Sequence, residues 1–143
     1  MQLTDLFQPG MTHLETFVVE EHQLAPHVGS GALRVLATPW LIAFMEGVSH
    51  RLLAKHLPEG YSSVGIHVDM RHLAPTPLGD TVRVQTEVLS VDGWTVAFAV
   101  SAWDTKEPIG ECKHERFVID EARFLKRVAA KSIISQPAPA GNA

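Results

Sequence analysis

Residues 38–57 read TPWLIAFMEGVSHRLLAKHL, and this stretch decides the fold. Thr38 is a good N-cap residue, and Pro39 suits the first helical position, where its missing N–H costs nothing. Pro58 and Gly60 then stop the helix, so the pattern predicts one long helix over Pro39–Leu57. Leu41, Phe44, Met45, Val48 and Leu52 recur at steps of three and four and form one apolar stripe. Trp40, Ile42 and Ala43 fill the other sides, which makes the first half apolar all round and predicts a buried rod. His50, Arg51, Lys55 and His56 turn the second half polar and carry it toward water.

Around this helix the sequence changes to period two. Val82, Val84, Thr86 and Val88 alternate with Arg83, Gln85 and Glu87, the pattern of a half-buried strand. Asp92-Gly93 signals a two-residue hairpin, with Trp94–Trp103 as the returning strand. Thr105–Pro108 forms a second turn before a strand over Ile109–Ile119. Earlier strands are predicted at His13–Glu20 and Tyr61–Leu73, and a short basic helix at Asp120–Ser132 closes the domain. A 19-residue helix spans ~28 Å, and strands of eight to ten residues span roughly 26–34 Å. One curved antiparallel sheet can therefore wrap one helix along its whole length, an α+β architecture. Such a small sheet leaves a free edge, which dimerisation would cover.

The chain has 143 residues, 45% of them hydrophobic, enough for one domain with a real core. One domain is expected over 1–134, followed by a disordered tail at 135–143, SQPAPAGNA. Twelve basic against 16 acidic residues give a formal charge of −4, which argues against nucleic acid. The longest uncharged run in the most apolar stretch, Val35–Met45, is far short of the ~20 residues that span a bilayer. MQLTDLFQPG carries Asp5 and no basic start, so it does not read as a signal peptide. Cys112, the single cysteine, excludes an internal disulfide and a multi-cysteine zinc site and reads as an inert core thiol. A reduced, cytoplasmic protein is the expectation.

Glu46 is the only charged residue from Val35 through Val48, so it either faces a subunit interface or water on a narrow polar strip, or is a carboxylate tuned for acid–base work. In GIHVDMRHL, Ile66, Val68 and Met70 share one face and His67, Asp69 and Arg71 the other, so His72 falls on the apolar, helix-facing side. Leu73-Ala74-Pro75-Thr76-Pro77 cannot continue a central strand, which leaves His72 where the chain departs from the sheet. Thr38, at the helix tip, stands where free N–H groups could stabilise an oxyanion. His67 with Asp69 lacks a third metal ligand at suitable spacing and reads as a solvated face, so no metal is expected. Gly29-Ser30-Gly31 follows no strand of a βαβ unit and is no dinucleotide fingerprint. His114 and Arg116 share one strand face and read as an ordinary polar surface. From Lys113 to Lys131 six basic residues face three acidic ones, a modest patch suited to phosphates.

These residues, in this order, resemble the hotdog-fold thioesterases, most closely their fluoroacetyl-CoA thioesterase-like branch. The likeness runs through Thr38–Glu46, Ser63-Val64-Gly65, His72–Gly79, Val91-Asp92-Gly93, Ile109-Gly110 and His114-Glu115-Arg116, over residues 10 to 127. It implies a helix wrapped by an antiparallel sheet, working as a homodimer or higher homo-oligomer on acyl-CoA. It also implies a catalytic set at Thr38, Glu46 and His72, with Gly65 and Arg116 near the substrate. CoA is then part of the substrate, and no further cofactor is implied. Leu24–Leu36 matches the lid region of these relatives poorly, so recognition of a fluorinated acyl group does not carry over.

Thr38 and Glu46 stand eight residues apart, ~12 Å along an ideal helix. Either the acyl carbonyl lies among groups from two subunits, or the helix starts later than Pro39. The expected reaction is hydrolysis of a small acyl-CoA thioester. Glu46 would activate water or attack, His72 would move protons, and Thr38 would orient or act as nucleophile. A dehydratase or hydratase on acyl thioesters is the rival within the architecture, although D-x-N-P-x-H and H-F-P-G are missing. A non-catalytic acyl-CoA binder is the rival from another class.

Overall fold

The computed structural model describes residues 1–132; the expected tail at 135–143 lies outside them. Five strands form one antiparallel sheet: β1 (Thr12–Val18), β2 (Tyr61–His72), β3 (Thr81–Asp92), β4 (Thr95–Trp103) and β5 (Pro108–Asp120), in the order β1-β3-β4-β5-β2. A four-residue turn of helix, α1 (Ala25–Val28), precedes the long helix α2 (Thr38–Ala54), and α3 (Glu121–Lys131) follows the last strand. This is the hotdog architecture: α2 lies in the hollow of the sheet, and the described residues contain no helix long and apolar enough to cross a membrane.

The predicted apolar stripe meets the sheet. Leu41, Met45, Val48 and Leu52 are buried with Val82, Val84 and Val88 of β3, Val96, Phe98 and Val100 of β4, and Ile109 of β5. Gly110 sets how closely the rod approaches, since a Cβ there would stand 2.8 Å from Leu41 Cδ2 and 3.1 Å from Met45 Cε. Two polar groups of this core satisfy each other: Ser49 Oγ donates to Met45 O (3.0 Å) and pairs with Thr86 Oγ1 (2.9 Å).

The structure corrects several expectations. Helix α2 begins at Thr38, with Ala37 as its cap, so a start later than Pro39 is excluded. Thr38 does not cap the helix, because its hydroxyl is engaged elsewhere. The rod is not enclosed on every side either: Pro39 and Ala43 are exposed, since five strands of one chain cover only part of its circumference. The β3–β4 turn is Gly93-Trp94, one residue later than expected, because Asp92 still pairs with Thr95 and the left-handed position (φ 60°) falls on Gly93. In β2 the register shifts between Gly65 and His67, so Ile66 is the extra residue of a bulge. Ile66 therefore lines the convex face with Val64 and Phe117, parted from Val68 and Met70, while Gly65 turns toward the helix.

The segment before α2 is clasped. Arg34 donates to both carboxylate oxygens of Glu21 (2.7 and 2.8 Å) with His27 Nε2 at 3.2 Å, and these bonds hold Glu21 down at about 2. Single bridges from Leu24 to Leu36 and from Val35 to Pro77 tie the loop to the body.

Candidate functional site

Two groups of polar side chains gather along α2. The first lies at its N-terminus, where β2 leaves the sheet. Thr38 Oγ1 is 2.8 Å from His72 Nδ1. Burial holds the His72 imidazole below its ordinary value, against a backbone hydrogen bond with Ala74 that raises it, so the ring is neutral at pH 7. Its Nε2 is buried and has no hydrogen-bond partner among the described residues. Beside the pair lies a hollow of about 460 Å³, with uncharged walls that include Ala25, Gly31, Leu33, Leu36 and Ala74. The expected row of free N–H groups at the helix tip is short: Pro39 has none, and Trp40 and Leu41 donate back to Ala37 O (3.0 and 3.1 Å).

The second group surrounds Glu46, two turns further on. Its side chain is 40% exposed rather than sunk in apolar surroundings, and Oε2 stands 3.7 Å from Arg116 Nη1. The bulge explains why the carboxylate fits: a Cβ on Gly65 would lie 2.5 Å from Glu46 Oε2. Arg116 is 7% exposed, because β5 points its even-numbered residues at the helix. Burial pushes its guanidinium down from the ordinary value against the pull of Glu46, and it remains cationic. Its Nε donates to Ser63 Oγ (2.9 Å) and its Nη2 to Ser63 O (3.1 Å). Ser63 in turn lies 3.2 Å from Nδ1 of His50, whose titration burial also lowers.

Strand alternation alone reads His114 and Arg116 as an ordinary polar face, whereas both are buried, and His114 is 1% exposed. Arg116 Nη1 can only donate, so His114 Nε2, 3.2 Å away, accepts. Nδ1–H must therefore donate to His67 O, 2.7 Å away beside the bulge. Burial, helped by the Arg116 charge, keeps this ring neutral. The signal that marks the role of His114 is its register with Val68 across the bulge, which period-two counting does not contain.

The two groups stay apart within one chain. Gly65 pairs with Arg116 and His72 with Gly110, which places them roughly 20 Å apart along β2. His67 and Asp69 are exposed, and the described residues hold no group of three or more His, Cys, Asp or Glu placed for a metal ion. Cys112 is buried, and burial pushes its thiol up to about 11.

Comparison with known proteins shows the family. The family described as fluoroacetyl-CoA-specific thioesterase matches residues 19–122. The fluoroacetyl-CoA thioesterase of Streptantibioticus cattleyicolor is 32% identical over 136 residues, covering 91% of this chain and 98% of that one. A crystal structure of a mutant of the fluoroacetyl-CoA-specific thioesterase FlK superposes with a TM-score of 0.84 at 33% identity, over 88% of this chain and 98% of that one. A hot-dog-like protein from Thermanaerovibrio acidaminovorans superposes at 0.85 with 27% identity, over 92% and 97%. With most of its length matched in sequence and in shape, this chain belongs to the fluoroacetyl-CoA-specific thioesterase family of hotdog-fold proteins.

Proposed function

We propose that the protein is a cytoplasmic homodimeric acyl-CoA thioesterase, hydrolysing a small acyl-CoA thioester to a carboxylic acid and CoA. The observation that carries this reading is the Thr38–His72 pair with its unpartnered, buried Nε2. A hydroxyl donating to a neutral imidazole is an activated oxygen. Attack on the thioester carbonyl comes from Thr38 Oγ1 or from a water held on it; the proton moves to His72 Nδ1 and passes to the CoA thiolate as the C–S bond breaks, and an acyl group left on Thr38 is then hydrolysed by water along the same proton path. The imidazolium then needs a counter-charge at Nε2, and Glu46 of the partner subunit supplies it. Glu46 of the same chain stands with Gly65 and Arg116, at a different level of the helix. Arg116 orients that carboxylate, Gly65 leaves room for it, and the uncharged hollow beside Thr38 receives the acyl group.

Thiol release over a panel of acyl-CoAs tests the activity. His72→Ala and Glu46→Ala should each lower turnover by ~10²–10⁴-fold. Mixing the inactive Thr38→Ala and Glu46→Ala proteins tests the shared site, since mixed dimers hold one intact set and should regain about a quarter of the wild-type rate. No recovery on mixing would place all three groups in one subunit. Thermal stabilisation by acyl-CoA without thiol release would make the protein a binder instead.

A further inference from the structure

A line of polar contacts runs past Glu46 and gives Arg116 a second attachment. Each of three elements places two neighbouring residues in it: Glu46 and His50, one turn apart on α2; Ser63 and Gly65 on β2; His114 and Arg116 on β5. Gly65 lies against Glu46, Ser63 lies against His50, and the Arg116 guanidinium joins the two levels. Ser63 is 6% exposed and holds Arg116 twice, its hydroxyl accepting from Nε (2.9 Å) and its carbonyl from Nη2 (3.1 Å). The hydroxyl has one proton of its own, and among the described residues the acceptor within reach is Nδ1 of His50, 3.2 Å away. His50 accepts it only as a neutral ring.

We propose that Ser63 and His50 are positioning residues for Glu46, acting through Arg116, and that a proton taken up by His50 loosens this hold. With a proton on Nδ1 the ring presents a donor to a hydroxyl that already accepts from Arg116. The buried Ser63 proton then loses its acceptor, and a second cation stands toward the guanidinium. The charges that bear on His50 are Arg116 of β5 and Arg51 of its own helix, and both oppose its protonation, as burial does. β2 meets the ring with the uncharged Ser63, and Glu46, one turn back, is turned to Arg116. Glu15 and His13 of β1 are taken up by Arg51 (2.7 Å) and Lys55 (3.1 Å). The hold is therefore intact at pH 7 and weakens in acid. Its kinetic consequence rests on the thioesterase reading, but its first test does not need turnover.

That test is the proton titration of His50, followed in the full chain by nuclear magnetic resonance. Ser63→Ala removes a donor that favours the neutral ring, so the titration of His50 should move upward. In the thioesterase assay Ser63→Ala should lower kcat about tenfold with KM little changed, and Ser63→Thr, which keeps the hydroxyl, should recover most of the loss. His50→Asn keeps an acceptor near Nδ1 that does not titrate. Between pH 8 and 5.5 kcat should therefore fall more steeply in the wild type than in His50→Asn, by up to one proton. A folding defect lowers the amount of active protein without changing that steepness. Should the protein release no thiol, the thioesterase reading fails, while the coupling of His50 to Ser63 stands or falls with the titration. A His50 titration unmoved in Ser63→Ala overturns the proposal, as does an acid limb equally steep in the wild type and His50→Asn.

Discussion

Glu46 closes against bare backbone at Gly65: the place where a β-carbon would sit is 2.5 Å from the carboxylate oxygen Oε2, and 3.4 Å from Nη1 of Arg116. The glycine here serves close approach, since its φ is not in the left-handed region. The extra residue of the β2 bulge is what turns this position inward.

Gly65→Ala should therefore displace the Glu46 side chain while leaving the sheet intact. A shift of about 1 Å at a reacting group costs on the order of 10² in rate. The expected result is a kcat lower by that order with a Tm within a few degrees of wild type. Wild-type kcat in this variant would mean that Glu46 has no positioned role.

His114 offers a sharper separation, because its two ring nitrogens do different work. Glutamine places an acceptor near the position of Nε2 and can hold Arg116. Asparagine retains a donor near Nδ1 for His67 O but leaves Arg116 Nη1 unheld. His114→Asn should lower kcat/KM by about tenfold and His114→Gln by much less. The reverse ranking would show that the clamp on the bulge matters more than the hold on Arg116.

Stability should fall on mild acidification. Burial lowers the titration of His50, His72 and His114 from the ordinary 6.5 of an unfolded histidine. Below 6.5 the unfolded chain binds protons that the folded chain refuses, so stability decreases as pH drops through and beneath that value. The lowered carboxylates Glu15 and Asp104 act in the same direction at more acid pH, where they lose their partners. Tm measured from pH 7.5 down to 5 should decline before any carboxylate protonates; a flat profile would contradict the burial of these rings. A site shared between two subunits requires Glu46→Gln to lower the titration of His72 followed by nuclear magnetic resonance, because a neighbouring negative charge raises it.

Cys112 should be silent toward alkylation. It is buried at 5% exposure, and its thiol is pushed up to about 11, so almost no thiolate is present at pH 8. Iodoacetamide should modify it only after denaturation, and rapid labelling of the native protein would disprove its packing.

Much of this molecule was legible from residue order. The stripe Leu41, Met45, Val48 and Leu52 gave the rod, and the alternation Val82, Val84, Thr86 and Val88 gave a strand whose inner face meets it. Both signals are periodic, and long periodic runs dominate local structure. Thr38 and His72 were recognised singly, and the structure brings them into contact. The bulge was not legible, because Ile66, Val68 and Met70 continue an apolar alternation straight through it. The burial of His114 and Arg116 was hidden for a related reason: alternation tells which residues share a face but not which face meets the helix. The exposure of Pro39 and Ala43 depends on how far five strands reach around the rod, which no local pattern records.

β2 has one more consequence. It forms a border of the sheet, where Ile66 and Val68 are 54% and 37% exposed. Such a border invites any passing extended chain. Here the row of backbone donors is broken at Ile66, and Asp69 and Arg71 place opposite charges along the rest. A border interrupted in this way is a poor template for an endless stack of extended chains.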